Sequence, residues 1–158
     1  MKVARITLSD RASAGIYEDR SGPEIERILA EHFGGAVEWK RVLIPDERAR
    51  IEAALREMCD GERCDLVVTT GGTGPAPRDV TPEATRAVLE RELPGFGEII
   101  RAQSFAKVPT AILSRATAGT RGRSLIINLP GNPRAIGECL PMLLPAIREA
   151  IRHLRGES

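Results

Sequence analysis

Three apolar residues, Leu66 to Val68, pass through two threonines directly into three glycines within four positions, Gly71, Gly72 and Gly74. The whole stretch reads Leu66-Val-Val-Thr-Thr-Gly-Gly-Thr-Gly-Pro-Ala-Pro-Arg-Asp-Val-Thr81. A short apolar run closed by a glycine turn predicts a buried strand, and Thr81-Pro82-Glu83 predicts a helix start. Strand, glycine loop, charged pair and helix start, in that order, is how an α/β protein builds a phosphate site. Lacking a Cβ, glycine lets backbone N–H groups approach an anion closely. Such turns also occur where a chain only has to reverse, so the glycines alone leave both readings open. Two familiar phosphate loops do not fit. There is no Gly-Lys-Ser/Thr ending, and Pro77 stands where Gly-x-Gly-x-x-Gly requires its third glycine. Asp79 adds a constraint, because a carboxylate beside an anion site repels the ligand unless a cation lies between them.

The alternation continues along the chain. Val3 to Leu8 predicts a first strand, and Ser9 to Gly15 a polar loop at its carboxyl end. Ser21-Gly-Pro-Glu24 carries a capping-box signature. The helix after it aligns Ile25, Ile28, Leu29 and Phe33 on one face until Gly34-Gly35 stops it. Val37 to Ile44 predicts a second strand, and Pro45-Asp46 turns into a helix that buries Ile51, Ala54, Leu55 and Met58. After the Leu66 strand, a helix capped by Thr81 is expected through Leu89, and another from Gly95 to Ser104. Ala111 to Ala116 and Ser124 to Leu129 are the remaining strand candidates, joined by a turn over 118–122. From Pro133 to Leu154 the apolar positions keep a helical period, with Pro141 and Pro145 expected to kink or split the helix. This pattern predicts an α/β fold: a three-layer sandwich with a mostly parallel central sheet and helices on both faces. Its length of 158 residues fits one domain over 1–158 with a proper core.

Bulk composition excludes more than it assigns. A net charge of +1 offers no general attraction for nucleic acid or a membrane surface, and Trp39 and Tyr17 have no aromatic neighbours in sequence to form a base-stacking platform. Arginine outnumbers lysine 20 to 3, which genome composition or thermal adaptation explains as readily as phosphate binding. No apolar stretch approaches a membrane span, and the amino terminus enters a strand without a signal-peptide pattern. Cys59, Cys64 and Cys139 lack a Cys-x-x-Cys spacing and lie far in sequence from His32 and His153, so reduced packing thiols in a cytoplasmic protein are expected. His32, on the apolar helix face, reads as a core or edge residue.

In open α/β sheets ligands bind beyond the carboxyl ends of the strands. Four segments belong there: Ser9-Asp10-Arg11, Pro45-Asp46, Thr70 to Asp79, and Leu129-Pro-Gly-Asn-Pro133. Aspartate between a proline and a helix is an ordinary N-cap. On one rim with Asp79, Asp46 also supplies half of an oxygen-ligand magnesium site. Pro130-Gly131-Asn132-Pro133 reads as a turn, or as backbone amides and Asn132 facing a ligand. Ser104 and Ser114 read by composition as surface or cap serines.

These residues together resemble a known family. Thr69 to Glu83, Leu93-Pro-Gly-Phe-Gly-Glu98, Pro109-Thr-Ala-Ile-Leu-Ser-Arg115 and Asn128-Leu-Pro-Gly-Asn-Pro133 are similar to motifs of the molybdopterin adenylyltransferases, whose domain also occurs in plants and in gephyrin. Ser9-Asp10-Arg11-Ala12-Ser13 and Leu43-Ile-Pro-Asp46 fit the same pattern, which runs from about residue 3 to 155. The resemblance implies a homotrimer that uses magnesium and ATP to adenylate the terminal phosphate of molybdopterin, releasing pyrophosphate. It implies Asp46 and Asp79 as the catalytic, metal-holding aspartates and Ser114 as a molybdopterin contact. Ser9, Asp10, Thr70, Gly71, Gly72, Thr73, Gly74, Pro130, Gly131, Asn132 and Pro133 fall in its substrate-binding segments. It further implies hand-over of the product to the molybdate-insertion enzyme, whose additional domains this chain is too short to contain. A catalytically weak sister branch that binds molybdopterin, or a trimeric scaffold of the same fold, is the competing expectation.

Overall fold

The computed structural model describes residues 1–157. Six strands form one sheet: β1 (Lys2–Leu8), β2 (Glu38–Ile44), β3 (Leu66–Thr70), β4 (Arg91–Glu92), β5 (Ala118–Arg121) and β6 (Ser124–Leu129). Their order is β2-β1-β3-β6-β5-β4, the first four parallel and the last two added antiparallel at one edge. The central strands read as unbroken apolar runs because helices cover both faces. Alternate side chains enter opposite layers. Leu66 and Val68 of β3, with Leu125, Ile127 and Leu129 of β6, join a core closed by α2 (Ser21–Phe33), α5 (Gly95–Phe105) and α6 (Pro133–Leu154). Val67 and Ile126 join the other, closed by α3 (Arg48–Arg56) and α4 (Thr81–Val88). Each fully buried leucine or isoleucine contributes roughly 1.5–3 kcal/mol. The expected three-layer sandwich is the one that forms.

Several local expectations are corrected. Residues 109–113 form a 3-10 helix, Pro109–Leu113, instead of opening a strand at Ala111. A strand, β5, instead occupies the stretch expected to turn, paired with β6 on one side and β4 on the other. Gly119 looks like a turn residue but is a close-approach residue, since a Cβ there would lie 2.2 Å from the Arg91 carbonyl oxygen. The reversal is the two residues Gly122-Arg123, with Gly122 at φ +55°. The loop after β1 contains a short helix, α1 (Asp10–Ser13), capped by Ser9, whose Oγ accepts from the Ala12 N–H at 3.0 Å. Ser21 and Thr81 are not side-chain caps. Arg20 and Val80 hold the cap positions, while Ser21 Oγ donates to the Gly131 carbonyl at 2.6 Å and Thr81 Oγ1 to that of Gly71 at 2.9 Å. Helix α6 runs through both prolines over 22 residues. Pro141 and Pro145 lie four apart on its exposed face, where water can serve the carbonyls they release.

Candidate active site

The chain leaves β1 for β2 on one side and later enters β3 on the other, which opens a crevice beyond the carboxyl ends of β1 and β3. A cavity of about 670 Å³ lies there, lined by the ends of those strands, Ser9, Asp10, Asp46, Gly71, Gly72, Asp79, the turn 131–133 and the segment 17–21. Its floor is tight. Gly71 and Gly72 have φ of +98° and +66°. A Cβ on Gly71 would meet the Leu8 carbonyl oxygen at 2.3 Å, and one on Gly72 would meet Thr81 Oγ1 at 2.3 Å and Asp46 Oδ1 at 2.9 Å. Both positions therefore require glycine. Thr70 Oγ1 donates to the Pro130 carbonyl at 2.7 Å, tying this loop to the turn that ends β6.

Two aspartates hold the β1 and β2 ends together. The Asp10 N–H donates to Asp46 Oδ2 at 3.0 Å, and the Asp46 N–H donates back to Asp10 Oδ1 at 3.0 Å. Arg78 forks onto Asp10, with Nε to Oδ2 at 2.9 Å and Nη2 to Oδ1 at 2.7 Å. That guanidinium holds the Asp10 carboxyl below the usual range. Asp46 goes the other way: burial raises it, and the charges of Asp10 and Asp79 add to the rise against the hydrogen bond from Asp10. Asp46 Oδ1 is buried and has no hydrogen-bond partner. A buried, unpaired carboxylate oxygen costs free energy unless a cation or donor arrives.

Arg115 fastens the far side of the loop. Its N–H donates to the Thr73 carbonyl at 2.8 Å, Nε to that of Gly74 at 2.9 Å and Nη2 to that of Asp79 at 2.8 Å, while Nη1 pairs with Glu83. One side chain thus fixes the backbone on both sides of the Pro75–Arg78 bend. Asp79 Oδ2 accepts from the Ala76 N–H at 3.1 Å across the same bend.

A family profile described as "Probable molybdopterin binding domain" matches residues 4–149. The chain belongs to this molybdopterin-binding family. It is 56% identical over 151 residues to a protein named molybdopterin adenylyltransferase from Helicobacter pylori J99, covering 96% of this chain and 86% of that one. Against the protein of that name from Escherichia coli K12, identity is 48% over 153 residues, covering 97% and 78%. Among solved structures, the molybdopterin biosynthesis enzyme MoaB from a Thermus species superposes with a TM-score of 0.89 at 44% identity, covering 98% of this chain and 96% of that chain.

Within this molybdopterin-binding fold, the expected site residues divide into two groups. Ser9, Asp10, Asp46, Thr70, Gly71, Gly72, Asp79, Gly131, Asn132 and Pro133 line the cavity. Thr73, Gly74, Pro130 and Ser114 do not. Thr73 and Gly74 give their carbonyls to Arg115, and Pro130 gives its carbonyl to Thr70. Ser114, next to Arg115, accepts from the Ala116 N–H at 3.3 Å. Asn132 is the N-cap of α6, its Oδ1 accepting from the Arg134 N–H at 2.8 Å. Among the described residues no group of three or more His, Cys, Asp or Glu forms a metal site. Magnesium is commonly held by one or two carboxylates plus substrate phosphates, and the orphaned oxygen of Asp46 beside Asp79 fits that arrangement.

Sequence reasoning missed the wall from Tyr17 to Ser21, which lines the cavity. Asp19 anchors it: Oδ2 accepts from Thr7 Oγ1 at 2.9 Å and Arg5 Nη1 at 3.0 Å, and Oδ1 accepts from the Gly22 N–H at 3.0 Å. The available signal was position, since this acidic stretch lies between a strand end on the rim and a helix start.

Proposed function

We propose that this chain is a molybdopterin adenylyltransferase acting in molybdenum cofactor biosynthesis. A terminal phosphate oxygen of molybdopterin attacks the α-phosphorus of ATP, the bond to the β-phosphate oxygen breaks, and pyrophosphate leaves. The observation that carries this reading is the buried, unpaired Asp46 Oδ1 beside Gly72, in a cavity shared with Asp79. Two anionic substrates can meet there only if their charge is neutralised. A magnesium ion held by Asp46 and Asp79 would supply that neutralisation. The chain's own residues supply alignment, which is the main demand of phosphoryl-group transfer. Gly71 and Gly72 leave room for close approach of a phosphate, and Arg115 holds the backbone that carries Asp79. The cavity offers no histidine or cysteine to act as nucleophile, and none is needed.

Ser114 keeps in this proposal the molybdopterin contact that the resemblance implies, outside the cavity that holds the two aspartates. A homotrimer is part of this proposal and is supported by apolar side chains left in water near the α5 end: Phe105, Val108, Ile112 and Leu113 are 49–60% exposed. No helix among the described residues is long and apolar enough to cross a membrane. A cytoplasmic location goes with three buried, free cysteines whose thiols burial pushes up to about 11 or 12. Adenylylated molybdopterin would pass on to the enzyme that inserts molybdate.

The test mixes the protein with molybdopterin, ATP and magnesium and measures pyrophosphate and adenylylated molybdopterin. Product forms with the wild type, while Asp79→Ala loses at least about 100-fold in rate and keeps most of its molybdopterin affinity. Tight binding without product would place the chain in a catalytically weak sister branch.

A further inference from the structure

The segment from Tyr17 to Ser21 forms one wall of the cavity and takes no part in the transfer described so far. Tyr17 is the only tyrosine in the chain. Its ring is half exposed, at 50%, on a wall of the cavity. An aromatic ring left in water usually turns freely, but this one is held at two points. Its hydroxyl lies 2.9 Å from Ser9 Oγ, the same oxygen that caps α1. The Arg11 guanidinium sits over the ring, 5.4 Å from its centroid, a cation–π contact that fixes the ring plane. Next along the chain, Glu18 is exposed and lines the same cavity. Asp19 spends its carboxylate on Arg5, Thr7 and Gly22; Glu18 makes no bond with the protein among the described residues. Asp19 ties the wall to Arg5 and Thr7 of β1 and to Gly22 of α2, and Arg5 in turn pairs with Glu26 of α2 at 2.8 Å.

A pre-oriented aromatic face beside a free carboxylate, opening onto a phosphate-accepting floor, has a defined complement. A base stacks on the face, a ribose diol donates to the carboxylate, and phosphates run to the glycines and aspartates. We propose that Tyr17 and Glu18, with Arg11 backing the ring, form the purine-nucleoside subsite that receives ATP. Molybdopterin has a fused heterocycle too, but it has no ribose diol to offer Glu18. This inference rests on the adenylyltransferase reading and deepens it. It also gives Ser9 a part on the rim, where its hydroxyl sets the tyrosine and caps α1.

Kinetics with each substrate varied in turn test the subsite. Tyr17→Ala raises KM for ATP about tenfold, the usual scale for losing one stacked base, and leaves KM for molybdopterin within about twofold, the spread expected of a change remote from that substrate. Tyr17→Phe keeps the ring and recovers most of the loss. Glu18→Gln lowers the preference for ATP over 2′-deoxy-ATP toward unity. An unchanged KM for ATP in Tyr17→Ala, or a rise confined to molybdopterin, overturns the assignment. The residue is half exposed, so the variant is expected to fold, and its thermal melt confirms that. Direct titration of magnesium–ATP into wild type and Tyr17→Ala separates the two ideas. Binding that depends on Tyr17 in a wild type that makes no product sinks the transferase reading and upholds the subsite. Equal binding by both proteins sinks the subsite alone.

Discussion

At the scale of single residues, Asp46 is under the greatest tension. Its Oδ2 is used by the Asp10 N–H, its Oδ1 is buried with no partner, and burial raises its pKa while Arg78 lowers that of Asp10. The signs oppose each other. A raised carboxyl favours the folded state when protonated, so this contribution is complete below the unfolded pKa and is lost as pH rises through the folded value. The lowered Asp10 contributes above its unfolded pKa and fades as pH falls through its folded value. In the free protein, Asp46→Asn removes an unpaired buried acceptor charge and stabilises by on the order of 1 kcal/mol, read as a rise of about 2–4 °C in Tm. The same variant loses adenylyl transfer. In the wild type, the acid limb of the rate profile lies above the ordinary aspartate value near ~3.9, and raising magnesium moves it to lower pH. An acid limb at the ordinary value, unmoved by magnesium, would contradict this account of Asp46. The residue was readable in sequence as a rim carboxylate or a helix cap. The structure gives the cap position to Glu47 and leaves Asp46 facing Gly72.

At the scale of elements, the glycine loop is shaped by what holds it. Arg115 contributes three hydrogen bonds to loop carbonyls and one ion pair to Glu83 at the start of α4. The ion pair is about a third exposed on both sides and adds little by itself; the bonds to the Gly74 and Asp79 carbonyls set the geometry. Arg115→Ala is expected to cost about 1–3 kcal/mol in stability. Misplacing Asp79 lowers kcat by about 10–100-fold. Arg115→Lys keeps the charge but not the fork, so it restores stability better than kcat. Denaturant melts and steady-state kinetics on the two variants measure the split, and equal recovery of both would reduce Arg115 to a stabilising ion pair. Asn128 does comparable work inside the sheet. It is fully buried in β6, its Oδ1 accepts from the Thr117 N–H at 3.2 Å, and its amide donates to Thr69 Oγ1 at 3.0 Å and Thr85 Oγ1 at 2.9 Å. It thereby joins β6, β3 and α4 beneath the glycine loop. Neither side chain shows these partners in sequence, because the Glu83 partner of Arg115 lies 32 positions away and the Thr85 and Thr69 partners of Asn128 lie 43 and 59 positions away.

At the scale of the whole molecule, one patch stays unsatisfied by the fold. Ile99 and Phe105 of α5, Ile112 and Leu113 of the 3-10 helix packed against it, and Val108 between the two are 40–60% exposed. With a net charge of only +1, little self-repulsion opposes association. If these side chains form the proposed trimer contact, Ile112→Glu converts trimer to monomer in sedimentation velocity, and an unchanged mass would move the interface elsewhere. The sequence by itself determined the layering: a buried strand leading into glycines, a helix after it, and the repeat of that order along the chain. Periodicity and turn chemistry are local, so they can be read locally. It also determined that Asp46, Asp79, the glycine loop and the turn 130–133 belong to one rim, because strand carboxyl ends in a parallel sheet share an edge. Only the tertiary structure decided which of them face the cavity. Ser114 fell outside the cavity lining, and the segment 17–21 came in as a wall. It also decided that Gly119 is a strand residue and that α6 passes unbroken through two prolines. Those outcomes depend on a carbonyl 2.2 Å from a missing Cβ and on which helix face meets water. Both are properties of neighbours distant in sequence, and no local pattern carries them.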